Sequence, residues 1–401
     1  MPWEKVDPLQ QRFLFIAEYT KGYFSIAELA RRFGISRKTA YKWINRFEDS
    51  GRNPDALIER PRIPHNSPGR TSKRATQALL ELRQKHPYWG PKKLLHLAKQ
   101  MHPRWKWPAK STVNLILKKN GYIETKRKRI KRHHPGRPLT VAQRPNHIVT
   151  ADFKGQFKTL DGVYCYPLTI VDEFSRCILA IHALLSTHQQ PVKTVFRQVF
   201  QTYGLPGMIR TDNGNPFASS SLGRLSYLSS WWIRLGIIPE LIQPGCPQQN
   251  ARHERMHKTL KKETVIPPKA DLRKQQRRFD EFREEFNNVR PHEALGMMTP
   301  AEIYTPSQKR MPKRVTDVEY PPHYEVRKVS DNAGIRLHGK RVLVGRVLAG
   351  KSIGLEEIDI GIWDVYYGPI WLGRLNEETG KIEDLDAKWY TTDRSKKQTL
   401  V

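Results

Sequence analysis

The sequence predicts a multidomain protein of class α + α/β + β: helix-turn-helix units at the N-terminus, a central mixed sheet covered by helices, and a small C-terminal β-barrel. Three observations support this class. Apolar residues recur at helical spacing before residue 125, strand-like and helical runs alternate over residues 141–305, and short strands separated by turns follow residue 310. With 401 residues and 38% hydrophobic composition, the chain is long enough for several cores.

The charge of the chain is strongly basic and unevenly distributed. Lys and Arg number 70 against 39 Asp and Glu, which gives a formal net charge of +31. Residues 1–140 carry +22 of this charge, and the remaining residues carry +9. A polyanion, either nucleic acid or an anionic membrane surface, is therefore the expected partner. The concentration of charge near the N-terminus favours a DNA-binding front end.

Membrane and secreted classes are disfavoured. No apolar run approaches the roughly twenty residues of a membrane span, and the first ten residues lack the apolar stretch of a secretory signal. The three cysteines, Cys165, Cys177 and Cys246, are widely spaced and form no disulfide framework and no CxxC zinc site. We therefore expect a cytoplasmic protein with no membrane partner.

A first helix-turn-helix unit is predicted within residues 1–65. Ser25 and Glu28 form a capping box before one helix, Gly34 ends it, and Ser36 caps the next. The second helix has an apolar face opposite a face of groups that bond to bases and phosphates: Arg37, Lys38, Tyr41, Lys42, Asn45 and Arg46. The alternative is an ordinary helical hairpin with a solvated basic face.

A second helical DNA-binding unit is predicted within residues 66–125. Ser72 is the expected cap of its first helix, a second helix begins near Lys92, and Ser111 is the expected cap of a third. Residues 126–140 then form a basic linker that contains Lys126, Arg127, Lys128 and Arg129. This linker is either a solvated tether or an arm that lies on DNA phosphates.

Three carboxylates stand out in the central segment, residues 141–305. Asp152 lies inside a β-branched strand, where an acid is costly unless a hydrogen bond or cation satisfies it. Asp212 ends a strand, at the edge where α/β sheets place ligands. Glu254 shares a helix face with Asn250, His257, Lys258 and Lys261. Singly, each could be structural: a satisfied acid, an Asx-turn residue and a surface charge paired with Lys258. The neighbouring Asp172-Glu173 pair is interpreted as structural.

In combination, these residues resemble the integrase-core transposases of bacterial insertion sequences, relatives of retroviral integrases with a DDE triad on a ribonuclease-H-like fold. The resemblance spans roughly residues 20–305. It rests on the motifs Thr150–Gly155, Val171–Arg176, Arg210–Gly214, Pro244–His257 and Asn288–Leu295, with Thr299-Pro300. It implies that residues 141–305 form an integrase catalytic core and that Asp152, Asp212 and Glu254 are the triad.

The sequence departs from the family pattern at two places. The segment between Asp212 and Glu254 has 41 residues, which is longer than the shortest spacing of the superfamily, and we attribute the excess to the region around residues 219–232. Ala251 stands where the family usually has Gly, which could alter a close DNA contact without removing a metal ligand.

The triad would hold two divalent ions, Mg²⁺ or Mn²⁺, because carboxylate oxygens are the hard ligands that these ions prefer. Such a pair activates an attacking oxygen and stabilises a leaving oxygen during phosphodiester cleavage and joining. The resemblance implies that Asp152 bridges both ions. Lys258 and Lys261 would grip the terminal DNA of the element, although lysines on a helix face are often only solvated.

Residues 310–390 are predicted to form the small β-barrel. Expected strands cover residues 324–329, 335–337, 341–344, 358–367 and 370–375, with turns between them. By resemblance, this domain would bind DNA or neighbouring subunits. The last residues, 395–401, are expected to lack fixed structure.

The function that follows is DNA transposition. The protein would bind the terminal inverted repeats of an element, cleave and join double-stranded DNA by a two-metal mechanism, act as at least a dimer on DNA and be associated with the nucleoid. One alternative is a catalytically inactive integrase-core regulator that only binds DNA. Another is a ribonuclease-H-type hydrolase, which the two front helix-turn-helix units disfavour because they suit duplex DNA.

Overall fold

The structure is a computed structural model that describes residues 7–59, 69–123 and 139–383. It divides into two compact units, one within residues 1–70 and the other within residues 71–401. No described helix combines the length and the apolar composition that crossing a lipid bilayer requires. The predicted basic arm, Lys126–Arg129, and residues 395–401 lie outside the described residues.

Within residues 7–59, the first unit contains three α-helices: α1 (Pro8–Lys21), α2 (Ile26–Arg32) and α3 (Arg37–Asp49). The capping box of Ser25 with Glu28 is present, and the Ser36 side chain accepts a hydrogen bond from the backbone of α3. Leu29, Ala40 and Ile44 meet in the core of the unit, together with Phe15 of α1. The two predicted helices are confirmed, whereas α1 was not predicted.

The second unit begins with another group of three helices: α4 (Lys73–Lys85), α5 (Pro91–Met101) and α6 (Lys110–Lys119). Ser72 caps α4 as predicted. The prediction that Ser111 caps the third helix is wrong, because α6 begins at Lys110 and Ala109 occupies the N-cap position. Trp89, which is 1% exposed, fills the centre of this group.

A mixed six-stranded sheet follows, and it positions the candidate site. Its strands are β1 (Ile148–Phe153), β2 (Phe157–Lys158), β3 (Tyr164–Asp172), β4 (Ile178–Leu184), β5 (Met208–Thr211) and β6 (Ile238–Leu241). β3 pairs with β1 and β4 in antiparallel orientation, whereas β5 lies parallel to both β1 and β6. The short β2 pairs with the first two residues of β3, whereas β1 pairs with its later residues. The predicted ribonuclease-H-like mixed sheet is confirmed.

Helices cover both faces of this sheet. Those of the central segment are α7 (Gln189–Tyr203), α8 (Tyr227–Arg234), α9 (Ala251–Leu260), α10 (Leu272–Asn288) and the short α11 (Pro300–Ile303). One core lies between the sheet and α7 and α8, and a second lies between the sheet and α9 and α10. Successive side chains of a strand point to opposite faces. Val149 and Ala151 therefore join the first core, whereas Thr150 and Asp152 face α9.

The C-terminal segment is rich in strands, but the described residues form no closed barrel. The strands are β7 (Glu325–Lys328), β8 (Gly334–Leu337), β9 (Lys340–Leu343), β10 (Ser352–Asp359), β11 (Ile362–Tyr367), β12 (Ile370–Asn376) and β13 (Lys381–Glu383). β13, β12, β11, β10 and β7 make an open antiparallel sheet, and β8 pairs with β9 separately. The predicted barrel is thus corrected to an open sheet with a hairpin. The expected single strand at residues 358–367 is also wrong, because the chain turns at Gly361 between β10 and β11.

The second helical group is fixed to the sheet domain through α10. His86, which follows α4, and Glu285 of α10 form a hydrogen bond of 2.7 Å between Nδ1 and Oε1. Lys92 of α5 donates to Glu293 at 2.6 Å. The guanidinium of Arg290 lies 5.9 Å from the centre of the Trp89 ring. These contacts join the second helical group to α10 and to the segment that follows it.

We predict that Glu285→Gln lowers the free energy of unfolding by about 1–2 kcal/mol, because a charge-assisted hydrogen bond to the buried His86 is weakened. Urea unfolding at neutral pH would measure this change. Glu284→Gln is the matched control, since the Glu284 side chain bonds to Asn288 on the exposed surface of the same helix. Equal stability of the two variants would contradict the docking role of Glu285.

Candidate active site

Asp152 lies on β1 and faces α9. Its side chain is 19% exposed, so the carboxylate is largely removed from water while it still reaches the surface of a cleft. Thr169 of β3 is its cross-strand partner. Only every second residue of β1 points toward this face of the sheet, and Asp152 is one of these residues.

Asp212 follows β5, the parallel neighbour of β1. Thr150 is in register with Arg210, so the chain places Asp152 and Asp212 at the same level of two adjacent strands. Asp212 accepts a hydrogen bond of 3.1 Å from the backbone N–H of Gly214, and Asn213 donates to the carbonyl of Ile242 at 2.6 Å. These bonds fix the turn that carries the second carboxylate.

Glu254 lies in the first turn of α9 and is exposed. Burial, together with the negative charges of Asp212 and then Glu254, raises the pKa of Asp152 to about 7. The three carboxylates are thus close enough to interact electrostatically. Ala251 occupies the first position of α9 and does not disturb the start of the helix.

Four buried side chains connect Asp152 to α9 in a network that no motif of the sequence indicates: Thr150, Thr169, His253 and His257. The Thr169 hydroxyl lies 2.9 Å from the Asp152 carbonyl, 2.6 Å from His253 Nε2 and 2.7 Å from His257 Nε2. His253 Nδ1 lies 2.8 Å from the Thr150 hydroxyl. Burial lowers the pKa of His253 to about 3 and of His257 to about 2, so both rings are neutral.

The available donors and acceptors determine where the protons of this network lie. Thr169 has one proton, which it donates to the Asp152 carbonyl, so each histidine must donate to Thr169 from Nε2. In neutral His257, Nδ1 then carries a lone pair, and it lies 3.7 Å from Asp152 Oδ2. Asp152, His253 and His257 are near enough to hold a metal ion together. Both nitrogens of His253 are already engaged, however, so His257 is the histidine with an atom available to a cation.

Basic side chains surround the same cleft. Its lining includes Asp152, Glu254 and His257, together with Lys154, Lys258, Lys261 and Lys262. The structure thus brings the predicted Lys258 and Lys261 next to two of the three carboxylates. An arrangement of acids ringed by lysines suits a phosphodiester substrate, because the acids can hold cations and the lysines can hold phosphates.

The neighbouring acids Asp172 and Glu173 have other contacts. Asp172 is fully buried and accepts hydrogen bonds from the backbone N–H groups of Asn146 and Ser175 and from the Ser175 hydroxyl. Glu173 lies 3.0 Å from the guanidinium of Arg252. These contacts agree with the structural interpretation of the pair.

The side chains predicted to read DNA lie on α3. Arg37, Lys38, Tyr41 and Lys42 are exposed, as a recognition surface requires. Arg46 differs from them, because its guanidinium donates to the carbonyl of Ile58 at 2.8 Å and lies 5.1 Å from the Trp43 ring. Arg46 therefore contributes to the packing of its own unit.

Models of known families match both the N-terminal helices and the segment that contains the mixed sheet. Integrase core domain models match residues 142–247 and residues 235–300, which together include all three carboxylates. The segment that carries the candidate site is thus similar to integrase core domains. A helix-turn-helix domain model matches residues 11–65, and a homeodomain-like domain model matches residues 39–117. The predicted resemblance to integrase-core transposases of insertion sequences is confirmed.

Proteins similar to this chain include proteins of insertion elements. The uncharacterized 39.2 kDa protein of insertion element IS476 from Xanthomonas euvesicatoria is 29% identical over 249 residues, which cover 57% of this chain and 65% of the relative. The 31.7 kDa protein of IS407 from Burkholderia multivorans is 27% identical, and the match covers 41% of this chain and 57% of the relative. The chain thus spans less than two thirds of either relative's length. The catalytic core domain of HTLV-2 integrase, solved in complex with magnesium, matches 41% of this chain and 99% of its own, with 18% identity and a TM-score of 0.33.

We predict that Thr169→Val lowers the free energy of unfolding by at least about 2 kcal/mol. The substitution keeps the shape of the side chain but leaves two buried imidazole N–H groups and a carbonyl without a partner. Thr169→Ser, which retains the hydroxyl, is the control and should cost about 1 kcal/mol or less. Chemical unfolding of both variants measures the difference. Equal losses of stability would mean that the methyl group, not the hydroxyl, matters here.

Proposed function

We propose that this integrase-core protein is a DNA transposase that cleaves the ends of an element and joins them to target DNA. The observation that carries the proposal is that Asp152 and Glu254 line one cleft together with four lysines. Asp212, which follows the adjacent parallel strand at the level of Asp152, is near enough to raise the pKa of Asp152. Strand cleavage and strand transfer are the activities that such a site supports best.

The donor set fits a divalent cation. Three carboxylates provide hard oxygen ligands, which suit Mg²⁺ or Mn²⁺. Burial and repulsion by Asp212 and Glu254 raise the pKa of Asp152 to about 7, and a dication held by the carboxylates would offset this repulsion. Asp152, Asp212 and Glu254 would hold the ions, of which we propose two, and His257 Nδ1 is a further available donor. When bound, the ions would supply Lewis-acid stabilisation of charge on the reacting phosphate.

The protein's own side chains would orient the DNA at this site. Lys258 of α9 and Lys261, which directly follows α9, lie one and two turns beyond Glu254 and line the same cleft, where they would hold phosphates of the terminal strand. The Thr169 network holds α9 against β1 and thereby fixes the position of Glu254 relative to Asp152. On α3, the exposed Arg37, Lys38, Tyr41 and Lys42 would contact the terminal repeat.

Both ends of an element must be handled together, so we propose that the active form on DNA is at least a dimer. The basic linker with Lys126, Arg127, Lys128 and Arg129 remains a proposed phosphate-contacting arm. An inactive DNA-binding regulator is the main alternative, and the presence of all three acids argues against it.

We predict that Asp152→Asn abolishes cleavage and joining of an element-end duplex in Mg²⁺ while binding to that duplex persists. An amide cannot replace the negative charge that holds a dication. Because ionised Asp152 carries a free-energy cost in the fold, the variant should be more stable than the wild type at pH 8 in the absence of metal. Strand-transfer gels, filter binding and thermal unfolding measure these properties.

Two controls make this test specific. Asp359→Asn removes an exposed acid from the C-terminal sheet and should leave cleavage intact. Mg²⁺ should raise the thermal unfolding midpoint of the wild type and not that of Asp152→Asn. Retained joining by Asp152→Asn would overturn the assignment of the metal site, and loss of joining by both variants would show that the assay reports something other than this site.

We also predict that the double substitution Lys38→Gln and Lys42→Gln weakens binding to the terminal repeat and lowers the slope of log K against log salt by about 2, because each lysine would neutralise one DNA phosphate. Lys21→Gln is the control, because Lys21 belongs to the same unit but pairs with Glu18 on α1. Fluorescence anisotropy over a range of salt concentrations measures the slope. An unchanged slope would exclude α3 as the phosphate-contacting helix.

A further inference from the structure

A second cavity lies on the other side of α9 from the acidic cleft. Its volume is about 380 Å³, and its walls come from α5, the turn after β3, α9 and the segment that follows α10. Among the described residues that line it, none belongs to the proposed triad. Helix α9 thus separates two pockets, with Glu254 and Lys258 on one side and Arg252 and Arg255 on the other.

The cavity contains more positive than negative charge. Five cationic side chains line it: Lys93, Arg176, Arg252, Arg255 and Arg290. Its three acids are engaged elsewhere or already paired, since Asp172 accepts backbone and hydroxyl hydrogen bonds, Glu173 pairs with Arg252, and Glu293 pairs with Lys92.

Three of the cations have no anionic partner within the described part of the chain. Arg290 lies 3.0 Å from Glu263, but no ion pair or side-chain hydrogen bond is formed by Lys93, Arg176 or Arg255 among the described residues. The Nε atom of Arg176 and the Nε2 atom of His292 are buried and lack a hydrogen-bond partner. A buried guanidinium N–H such as that of Arg176 is normally satisfied by protein, water or a ligand.

The electrostatic state of these groups favours the binding of an anion. Burial and the charge of Arg290 lower the pKa of Lys93 to about 7. Burial and the charges of Arg252 and Arg255 lower the pKa of Arg176. A bound anion would offset both the burial and the mutual repulsion, because it stabilises the charged form of each group.

We propose that this cavity binds a phosphate group on a ligand of about the size of a nucleotide. Guanidinium groups offer planar pairs of donors that match phosphate oxygens, and Lys93 adds a point charge. The volume lies within the range of about 300–1,000 Å³ typical of small-ligand pockets. Val171, Met256 and Phe286 line the same cavity and provide apolar surface for a base or another apolar group.

Two sources supply this chemistry: a free nucleotide and a nucleotide unit of bound DNA. Both present a phosphate with an attached ring system. The proposal does not depend on the metal site, because the triad faces the opposite side of α9. Failure of Asp152→Asn to abolish joining would therefore leave the cavity assignment unchanged.

The test uses the full chain with inorganic phosphate and deoxyadenosine monophosphate as probes, compared with sodium chloride at equal ionic strength. Calorimetric titration and thermal unfolding should show binding to the wild type beyond the effect of chloride. Lys93→Gln and Arg255→Gln should each weaken binding of the monophosphate by about tenfold or more. Lys99→Gln, on the exposed surface of α5, should not change it.

Thermal unfolding of the variants in the absence of phosphate shows whether they are folded. Lys93→Gln removes a partly buried cation that forms no ion pair with any described residue, so this variant should be at least as stable as the wild type. The proposal is overturned if phosphate and monophosphate stabilise the wild type no more than chloride does. It is equally overturned if a folded Lys93→Gln and a folded Arg255→Gln bind the monophosphate as tightly as Lys99→Gln.

A competition experiment distinguishes the two sources of the ligand. If the cavity receives a nucleotide unit of DNA, an element-end duplex should displace the monophosphate from the wild type, and Lys93→Gln should lower the salt slope of duplex binding by about 1. If it receives a free nucleotide, the duplex and the monophosphate should bind together without competition. Either result supports a phosphate site at this cavity.

Discussion

The hydroxyl group of Thr169 joins the three parts of the core on which the candidate site depends. It bonds to the backbone of β1 at Asp152 and to two histidines of α9, while its own strand, β3, pairs with both β1 and β4. Burial keeps both rings neutral, so the network adds no charge beside the carboxylates. Because a sheet and a helix otherwise meet through apolar contacts that tolerate sliding, these directional bonds set the register of α9. The separation of Glu254 from Asp152 follows from that register.

Much of the fold could be predicted from local patterns. The capping residues Ser25, Ser36 and Ser72 identify three helix starts because an N-cap satisfies backbone donors within one turn. Patterns that depend on distant partners were less informative. The helix α1 was missed although Asp7 caps it, since its few buried residues acquire a core only from α2 and α3. At the C-terminus, short strands were visible, but whether they close into a barrel depends on pairings between strands far apart in sequence.

The site shows the same division between local and distant information. The strand position of Asp152 and the turn at Asp212 made both acids conspicuous in the sequence, and Glu254 emerged from its polar helix face. His253 could not be assigned a role, because a histidine four residues before another on a helix is consistent with packing alone. Only the fold shows that Thr150 and Thr169, from two different strands, take up both of its nitrogens. Similarly, the cationic cavity combines residues 93, 176 and 255, which no sequence motif connects.

The docking of α4 and α5 onto α10 has a consequence for DNA geometry. With Trp89 buried, His86 bonded to Glu285 and Lys92 bonded to Glu293, the second helical group is held to the sheet domain by short contacts rather than by its tether alone. If this group binds a duplex, the fold fixes the distance between the bound segment of DNA and the acidic cleft. The number of base pairs between the gripped segment and the scissile phosphate would then be a fixed property of each molecule, and an insertion of half a helical turn of DNA would rotate the cut site away from the cleft.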